Sequence, residues 1–302
     1  MSQAGATMPR LQLLSNGRYH VMVTQEGAGF SRWKGMAVTR WHEDANRDGL
    51  GQFCYLRDAS GGSPWSATAQ PTGTQDDLVE CTFLPGRAIL LRRHAGSGDG
   101  LELDIESRTD IAVAPDDDIE VRRVSLTNRD SRAAGAARTL TLTSFCEPVL
   151  EAPGADAAHP AFEKLFVQTE VLSLSQAIVC MRRSRAPDEA TPWMFHLLLP
   201  SEGLDAEVSY ETDRMRFIGR GRTTANPQAL DSDAALSGTA GAVLDPVAAI
   251  RCRVALRAGQ TAVVELISGV AASRDECLAL IRRCREPGFA DRVLDGAPTR
   301  AR

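Results

Sequence analysis

Residues 40–44 carry the densest group of side chains suited to chemistry in this sequence, Arg40-Trp41-His42-Glu43-Asp44. A guanidinium and a carboxylate both form hydrogen bonds with hydroxyl groups, and the flat indole of Trp41 can pack on the apolar face of a sugar ring. Functional residues are enriched in loops, yet charged residues at the ends of strands are also common. We therefore hold two interpretations of Arg40, Trp41 and Asp44, a ligand-binding cluster and ordinary strand-edge packing.

His159 is the centre of a second candidate cluster. It precedes Pro160 at the end of a loop rich in Pro, Gly and Ala that spans residues 152–160. An imidazole titrates near neutral pH, so it can act as an acid, as a base or as a hydrogen-bonding ligand for a hydroxyl group. A surface histidine without a role is the alternative interpretation.

Several familiar kinds of catalytic site have no support in the sequence. It contains no G-x-S-x-G, H-E-x-x-H or G-x-x-x-x-G-K-[ST] motif. The seven cysteines are an odd number without a C-x-x-C pair, which argues against a disulfide framework and against a zinc site. The sequence thus predicts no catalytic residue, no metal and no cofactor for this chain.

Charge and hydropathy restrict the partners and the location. The formal net charge is −5, and the cations are almost all arginine, since Lys34 and Lys164 are the only lysines. No basic patch of the kind that binds a nucleic-acid backbone is present. There is no run of eighteen apolar residues and no apolar leader after Met1, so we expect a cytoplasmic chain without a transmembrane segment.

The elements that must position these residues are mostly β-strands. Short segments in which apolar and polar residues alternate are separated by Gly, Pro, Asp and Asn, and this pattern predicts packed antiparallel sheets. The predicted strands include residues 19–24, 51–56, 78–84, 87–92, 162–170, 177–181, 193–199 and 214–218.

Three finer predictions concern individual elements. The apolar pattern changes phase around Arg122 and Arg123, which predicts a β-bulge there. Residues 250–256 and 263–267 flank a turn and are predicted to form a hairpin. Ser273 followed by Glu276 predicts a capped C-terminal helix that ends at Pro287-Gly288.

Ordered blocks of sequence between Leu11 and Leu294 resemble one known family. These blocks include Leu14-Ser15-Asn16-Gly17-Arg18-Tyr19, Gly27-Ala28-Gly29-Phe30-Ser31-Arg32-Trp33, Val38-Thr39-Arg40-Trp41, Phe53-Cys54-Tyr55-Leu56-Arg57-Asp58, His159-Pro160-Ala161-Phe162, Leu165-Phe166-Val167-Gln168-Thr169-Glu170 and Phe217-Ile218-Gly219-Arg220-Gly221-Arg222. They resemble the N-terminal supersandwich of glycoside hydrolase family ninety-four, the inverting glycoside phosphorylases. The likeness is strongest to the corresponding region of cyclic β-1,2-glucan synthases.

The resemblance implies a mainly β, two-sheet antiparallel supersandwich of the galactose-mutarotase-like kind, with a short C-terminal helix. It divides the chain into a disordered N-terminus (1–10), the sandwich (11–272), and a C-terminal helix with the start of a linker (273–302). In the family, the general acid comes from a following (α/α)-barrel domain. The resemblance therefore implies that this chain does not catalyse the reaction by itself.

The resemblance also implies partners and a site. We expect binding to a β-glucan oligosaccharide or to a catalytic (α/α)-barrel domain, or a homodimer in which a loop reaches the other subunit, in association with an inner-membrane glucan synthase. The candidates for that reaching segment are His159, Phe162 and Gln168, and the second cluster is Arg40, Trp41 and Asp44. Two alternatives stay open: a mutarotase-like aldose epimerase that uses His159 or His42 with Glu147, and a purely architectural dimerisation subunit.

Overall fold

The computed structural model of the protein describes residues 10–42, 49–73, 77–98, 101–130, 137–184, 191–201 and 207–296. The predicted disordered N-terminus, apart from Arg10, lies outside these ranges.

The described residues are dominated by β-strands. The strands are β1 (Leu11–Ser15), β2 (Tyr19–Thr24), β3 (Gly29–Trp33), β4 (Met36–Thr39), β5 (Phe53–Asp58), β6 (Trp65–Ser66), β7 (Leu78–Leu84), β8 (Arg87–Gly98), β9 (Leu101–Val113), β10 (Ile119–Asn128), β11 (Arg138–Phe145), β12 (Pro148–Glu151), β13 (Val167–Leu172), β14 (Ala177–Arg182), β15 (Trp193–Pro200), β16 (Ser209–Asp213), β17 (Pro246–Leu256) and β18 (Thr261–Ala271). The α-helices are α1 (Pro153–Ala158), α2 (Pro160–Glu163), α3 (Arg214–Ile218), α4 (Arg274–Cys284) and α5 (Phe289–Gly296).

The strands form antiparallel sheets in two layers. One layer is an eight-stranded sheet in the order β13-β14-β15-β18-β10-β9-β8-β7. The other layer consists of two five-stranded sheets, β1-β2-β3-β4-β12 and β16-β17-β11-β5-β6. The chain passes from β11 to β12 through Cys146 and Glu147, and the backbone of Cys146 pairs with Ala248 of β17. The predicted mainly β antiparallel sandwich is confirmed, with one of its two predicted sheets divided in two.

The main core lies between the two layers because each strand turns one apolar face inward. Leu142 of β11, Ile250 of β17, Leu90 of β8 and Leu266 of β18 are all buried in this one cluster. The alternation of apolar residues in the sequence predicted this inward face, and the structure confirms it.

A buried ion pair interrupts the apolar core. The carboxylate of Glu120 accepts a hydrogen bond from Nε of Arg122 at 3.1 Å and one from the hydroxyl of Tyr19 at 2.9 Å. It also accepts hydrogen bonds from Ser31 and Gln52. Glu120 is fully buried, so these partners supply the interactions that water would otherwise make.

The hydrogen-bonded chain continues from Gln52 across the core to a buried histidine. The amide oxygen of Gln52 accepts from Oγ of Ser268 at 3.0 Å, and Nδ1 of His196 lies 2.9 Å from that hydroxyl. Nε2 of His196 lies 2.8 Å from Oγ of Ser144 in the opposite layer. This chain of side chains therefore links the two layers.

The outer face of the eight-stranded sheet is covered by the C-terminal helices. Ile281 of α4 and Val293 of α5 pack against Val121 and Phe195 in a second apolar cluster. The capped helix is confirmed, because Oγ of Ser273 accepts from the backbone N–H of Glu276. Cys277 and Cys284 both belong to this cluster, and burial raises the pKa of the Cys277 thiol to about 12.

The predicted β-bulge at Arg122 and Arg123 is wrong. Strand β10 pairs with β9 and β18 without a register shift from Glu120 to Thr127. Glu120, Arg122 and Val124 all lie on the inward face of β10. The apolar pattern changes phase because the first two of these inward residues are charged and the third is apolar. Near the start of β10 the apolar residues face outward instead, beneath α4 and α5.

Three further element predictions need correction. Strands β17 and β18 lie in different layers, so they face each other across the core and do not form a hairpin. Residues 214–218 form helix α3 because Asp213 caps it, accepting from the backbone N–H of Met215 at 2.8 Å. Of the predicted strand 162–170, the first residues end helix α2 and the strand begins at Val167.

Candidate functional site

A buried ion pair joins the two clusters that the sequence singled out. Arg40 follows β4, and its Nη2 and Nε donate to the two carboxylate oxygens of Asp156 on α1, at 2.9 and 3.2 Å. Its Nη1 donates to Glu147 at 3.2 Å. Arg40 is only 5% exposed, so its role in the structure is to fix α1 against the sandwich and not to face a ligand.

A second arginine anchors helix α2. Arg182, at the end of β14, forms ion pairs with Glu163 and, at 2.8 Å, with Glu151. Its Nη1 donates to the backbone carbonyl of Glu163 at 3.2 Å, and its guanidinium lies 5.1 Å from the centre of the Phe166 ring. Both short helices are therefore held at the rim of the sandwich by buried charges.

The anchoring network extends to helix α3 and the start of β17. Nε of Arg214 donates to Glu147 at 2.9 Å, and the backbone N–H of Arg214 donates to the carbonyl of Asp245. Burial alone would lower the pKa of Arg214, but the Glu147 carboxylate raises it above its ordinary value. Lys164, directly after α2, forms an ion pair with Asp245 at 2.7 Å.

Helices α1 and α2 present an exposed surface with an imidazole and apolar groups. His159 connects the two helices and is exposed, and the side chain of Phe162 is 53% exposed. The Phe162 ring meets the Phe166 ring edge-on, with centres 5.1 Å apart. We call His159, Phe162 and the neighbouring exposed Leu165 the helix-pair surface.

Two more exposed apolar side chains flank the residues that anchor this region. Met215 follows Arg214 and is 62% exposed, and Leu244 precedes Asp245 and is 79% exposed. Exposed apolar groups near an ordered rim are typical of a surface that contacts another molecule or domain.

The remaining predicted site residues are not gathered at the helix pair. Trp41 is half-buried, and its ring lies 5.7 Å from that of Phe30. Gln168 lies within β13, opposite Met181 of β14. Asp44 belongs to residues 43–48, which lie outside the described part of the chain, so its place in the second cluster stays a prediction.

The epimerase alternative loses its proposed carboxylate. Glu147 is buried, with one oxygen accepting from Arg40 and the other from Arg214. A carboxylate held by two guanidinium groups is a structural anchor, and it is not placed to assist His159 or His42 in proton transfer.

Sequence reasoning missed the residues that position the helix pair, Asp156, Glu163 and Arg182. One signal for them was available. Pro153-x-x-Asp156 and Pro160-x-x-Glu163 both place proline at the first position of a helix and an acidic residue in its first turn. This repeated pattern is typical of helix starts, whereas the segment was interpreted as a loop.

Neither a metal-binding group nor a membrane-spanning helix occurs in the described ranges. No group of three or more His, Cys, Asp or Glu side chains there could hold a metal ion. Nor does any helix in those ranges combine the length and the apolar character needed to cross a membrane.

The sandwich fold agrees with the family to which the sequence belongs. The chain belongs to the glycosyl hydrolase 94 supersandwich domain family, whose model matches residues 2–287. It is 37% identical over 289 residues to the cyclic beta-(1,2)-glucan synthase NdvB of Rhizobium meliloti strain 1021. That alignment covers 96% of this chain but 10% of the relative, so the chain spans about a tenth of that protein's length.

One solved structure shares the fold at low sequence identity, and another aligns with this chain less closely. A putative kojibiose phosphorylase from the human microbiome aligns with 96% of this chain and 35% of its own, with a TM-score of 0.53 and 7% identity. A putative aldose 1-epimerase from Escherichia coli K12 aligns with 88% of this chain and all of its own, with a TM-score of 0.45 and 11% identity.

Proposed function

We propose that this chain is the carbohydrate-associated sandwich module of a β-glucan synthase or glycoside phosphorylase, and that it works together with a catalytic (α/α)-barrel domain. The helix-pair surface is the contact that it offers to this barrel, to a second copy of the chain, or to a β-glucan oligosaccharide. The observation that carries the proposal is the anchoring of α1 and α2 by Arg40 and Arg182. Two buried arginines hold a small exposed surface in one orientation, as a recognition surface requires.

The anchoring carboxylates also support a role without catalysis. Inverting cleavage of a glycosidic bond needs a carboxylic acid that protonates the leaving oxygen. Four acidic groups around the helix pair, Glu147, Glu151, Asp156 and Glu163, are each ion-paired with an arginine, and Asp245 is paired with Lys164. The proposal therefore assigns the proton donor to the partner domain and leaves recognition and packing to this chain.

The relative supplies the substrate class in the proposal. That relative is a cyclic β-(1,2)-glucan synthase, and 37% identity along nearly the whole chain favours a shared carbohydrate class. A cytoplasmic location, beside the enzyme that this module would serve, is part of the same proposal.

An architectural role is the second candidate, favoured by the exposed apolar groups Phe162, Leu165, Met215 and Leu244. In that case the helix-pair surface joins two copies of the chain and binds no sugar. The two candidates differ in their readout, because only the first predicts a complex with oligosaccharide.

Calorimetry with β-1,2-linked gluco-oligosaccharides, together with light scattering during gel filtration, tests both candidates. We expect heat of binding or concentration-dependent dimerisation, and we expect Phe162→Ala to weaken whichever is found by about tenfold, since a truncated aromatic anchor typically costs 1 to 2 kcal/mol or more. Leu174→Ala is the matched control. Leu174 is 99% exposed and lies at the opposite end of the β13–β14 hairpin from Val167 and Arg182.

The outcomes separate clearly. A monomer that binds no oligosaccharide at millimolar concentration contradicts both sugar binding and dimerisation, and leaves contact with the barrel domain as the role of this surface. Equal effects of Phe162→Ala and Leu174→Ala remove the helix-pair surface from the proposal.

A further inference from the structure

A cavity of about 330 Å³ opens beside Trp65, where the inward face of β8 changes from apolar to polar. Ala88 and Leu90 belong to the main core, whereas Arg92, His94 and Gly96 continue the same face of the strand and line the cavity. Its volume is at the lower end of the roughly 300 to 1,000 Å³ typical of ligand pockets. The cavity lies at β5, β6 and β8, whereas the helix pair packs near β12 and β14, so the two sites are separate.

Arg92 makes the cavity wall rigid. Its Nη1 donates to the backbone carbonyls of Ser66 and Thr68, at 2.9 and 2.8 Å, and its Nη2 donates to that of Gly73 at 3.0 Å. Its Nε donates to the carboxylate of Asp77 at 2.6 Å. Arg92 is 3% exposed and all its donor groups have protein partners, so it shapes the cavity and leaves ligand binding to others.

His94 offers a hydrogen-bond acceptor beside this wall. Its Nδ1 lies 3.1 Å from an oxygen of the buried Asp77 carboxylate, which places the hydrogen on Nδ1 and leaves the lone pair on Nε2 in the neutral ring. Burial lowers the pKa of His94 and outweighs the opposing effect of Asp77, so the ring is neutral at pH 7. The His94 ring stacks on Trp65, with centres 4.3 Å apart and an angle of 18° between the planes.

Trp65 offers a donor that the protein leaves unused. Trp65 is 97% buried. Its indole N–H is nevertheless without a hydrogen-bond partner among the residues that the structure describes. A buried donor without an acceptor is unfavourable, so a ligand acceptor that reaches the N–H after a small shift of the Trp65 side chain toward the cavity would stabilise the site.

The charges around the cavity cancel. Asp77 pairs with Arg92, and Asp58, also on the cavity wall, pairs with Arg138 at 3.0 Å. Such a cavity does not select an anion or a cation. An unused donor and an acceptor nitrogen together match a hydroxyl group, which both accepts and donates.

We propose that this cavity binds a neutral, hydroxyl-rich ligand of the size of one sugar residue, with a ligand hydroxyl between the indole N–H of Trp65 and Nε2 of His94. The site is independent of the helix-pair surface, and it places a sugar-sized ligand at a cavity that the proposed function does not use.

Titration of the ¹⁵N-labelled full chain with glucose, observed at the indole N–H signals in an NMR spectrum, tests this inference. The four tryptophans give four such signals, and Trp65→Phe identifies the one that belongs to Trp65. We expect the Trp65 signal alone to shift, with saturation in the millimolar range. Sulfate, as a charged probe, is expected to leave this signal unchanged.

A glycine variant tests the geometry. A Cβ atom at Gly96 would lie 3.2 Å from Nε2 of His94, so Gly96→Ala crowds the proposed hydroxyl position. We expect it to weaken glucose binding at least about tenfold, as expected when one or two hydrogen bonds are lost. Gly296→Ala is the matched control, because a Cβ there meets no atom within 4 Å.

Several results would overturn the inference. The first is a Trp65 signal that does not shift saturably with glucose, and the second is a shift of that signal with sulfate. An equal response to glycerol at equal concentration would mark an adventitious additive only. Unchanged affinity for glucose in Gly96→Ala would also contradict the inference. If Gly96→Ala does not fold, glucose binding to Trp65→Phe is measured instead, through the His94 ring signals. We expect weaker binding, because this variant lacks the indole donor. These results leave the helix-pair surface untouched, so the two proposals fail separately.

Discussion

Arg40 and Asp156 form a buried, bidentate ion pair that holds helix α1 against the end of strand β4. The two residues are 116 positions apart in the chain. Because α1 leads directly to His159, this pair holds a loop-like segment as a fixed surface.

The first prediction concerns the cost of breaking this pair. Arg40→Ala leaves the carboxylates of Asp156 and Glu147 buried without their shared partner, and we expect it to lower the free energy of unfolding by about 3 to 5 kcal/mol. Urea denaturation measures this change. Arg18→Ala is the control, because Arg18 is half exposed in its ion pair with Asp118, and such pairs contribute at most about 1 kcal/mol. Similar losses in the two variants would show that Arg40 is no special anchor.

The second prediction concerns the pH dependence of stability. Burial lowers the pKa of His196 from 6.5 to about 4, with a smaller contribution from Arg122. The unfolded chain therefore takes up this proton near pH 6.5, whereas the folded chain resists it until about pH 4. The free energy of unfolding must fall as the pH drops through this window, by up to roughly 3 kcal/mol from this group.

His196→Gln removes the titrating group and keeps an amide that can hydrogen-bond to Ser144 or Ser268. We expect the variant to lose less stability than the natural chain between pH 7 and pH 4, measured by urea denaturation at each pH. If the two proteins lose stability in parallel, His196 is not the group that titrates.

The third prediction concerns the C-terminal helices, which cover the outer face of the eight-stranded sheet. Ile281 is 1% exposed in the apolar cluster beneath α4, so Ile281→Ala should cost about 2 to 5 kcal/mol of stability. Its exposed neighbour Arg282 serves as control, and Arg282→Ala should change stability by no more than about 0.5 kcal/mol. A small effect of Ile281→Ala on thermal or urea unfolding would mean that α4 is a detached linker and not part of the folded unit.

Local patterns in the sequence were enough to predict the sandwich. The alternation in β7 and β17 and the capping residues of α4 depend on residues close together in the chain, and these elements are confirmed. Pairing across the core is a different matter. Strands β17 and β18 looked like a hairpin because both bury one face in the same core, and no local feature says that they do so from opposite layers.

Buried charge explains the other failures. Alternation rules assume an apolar inward face, so Glu120 and Arg122 at inward positions of β10 imitate the phase change of a bulge. Spacing cannot choose between the two interpretations of Arg40 either, because its partner Asp156 lies 116 positions away. The exposed candidates His159 and Phe162 stay predictions for a site, and the structure adds the anchors that orient them.

Product analysis by mass spectrometry tests most directly whether this chain lacks the proton donor for glycosidic chemistry. Purified chain is incubated with β-1,2-linked gluco-oligosaccharides and inorganic phosphate, at concentrations where calorimetry detects binding. We expect the chain lengths of the oligosaccharides to stay unchanged and no sugar phosphate to form, because the proton donor belongs to a partner domain. Shortened or extended oligosaccharides produced by this chain alone would contradict this expectation.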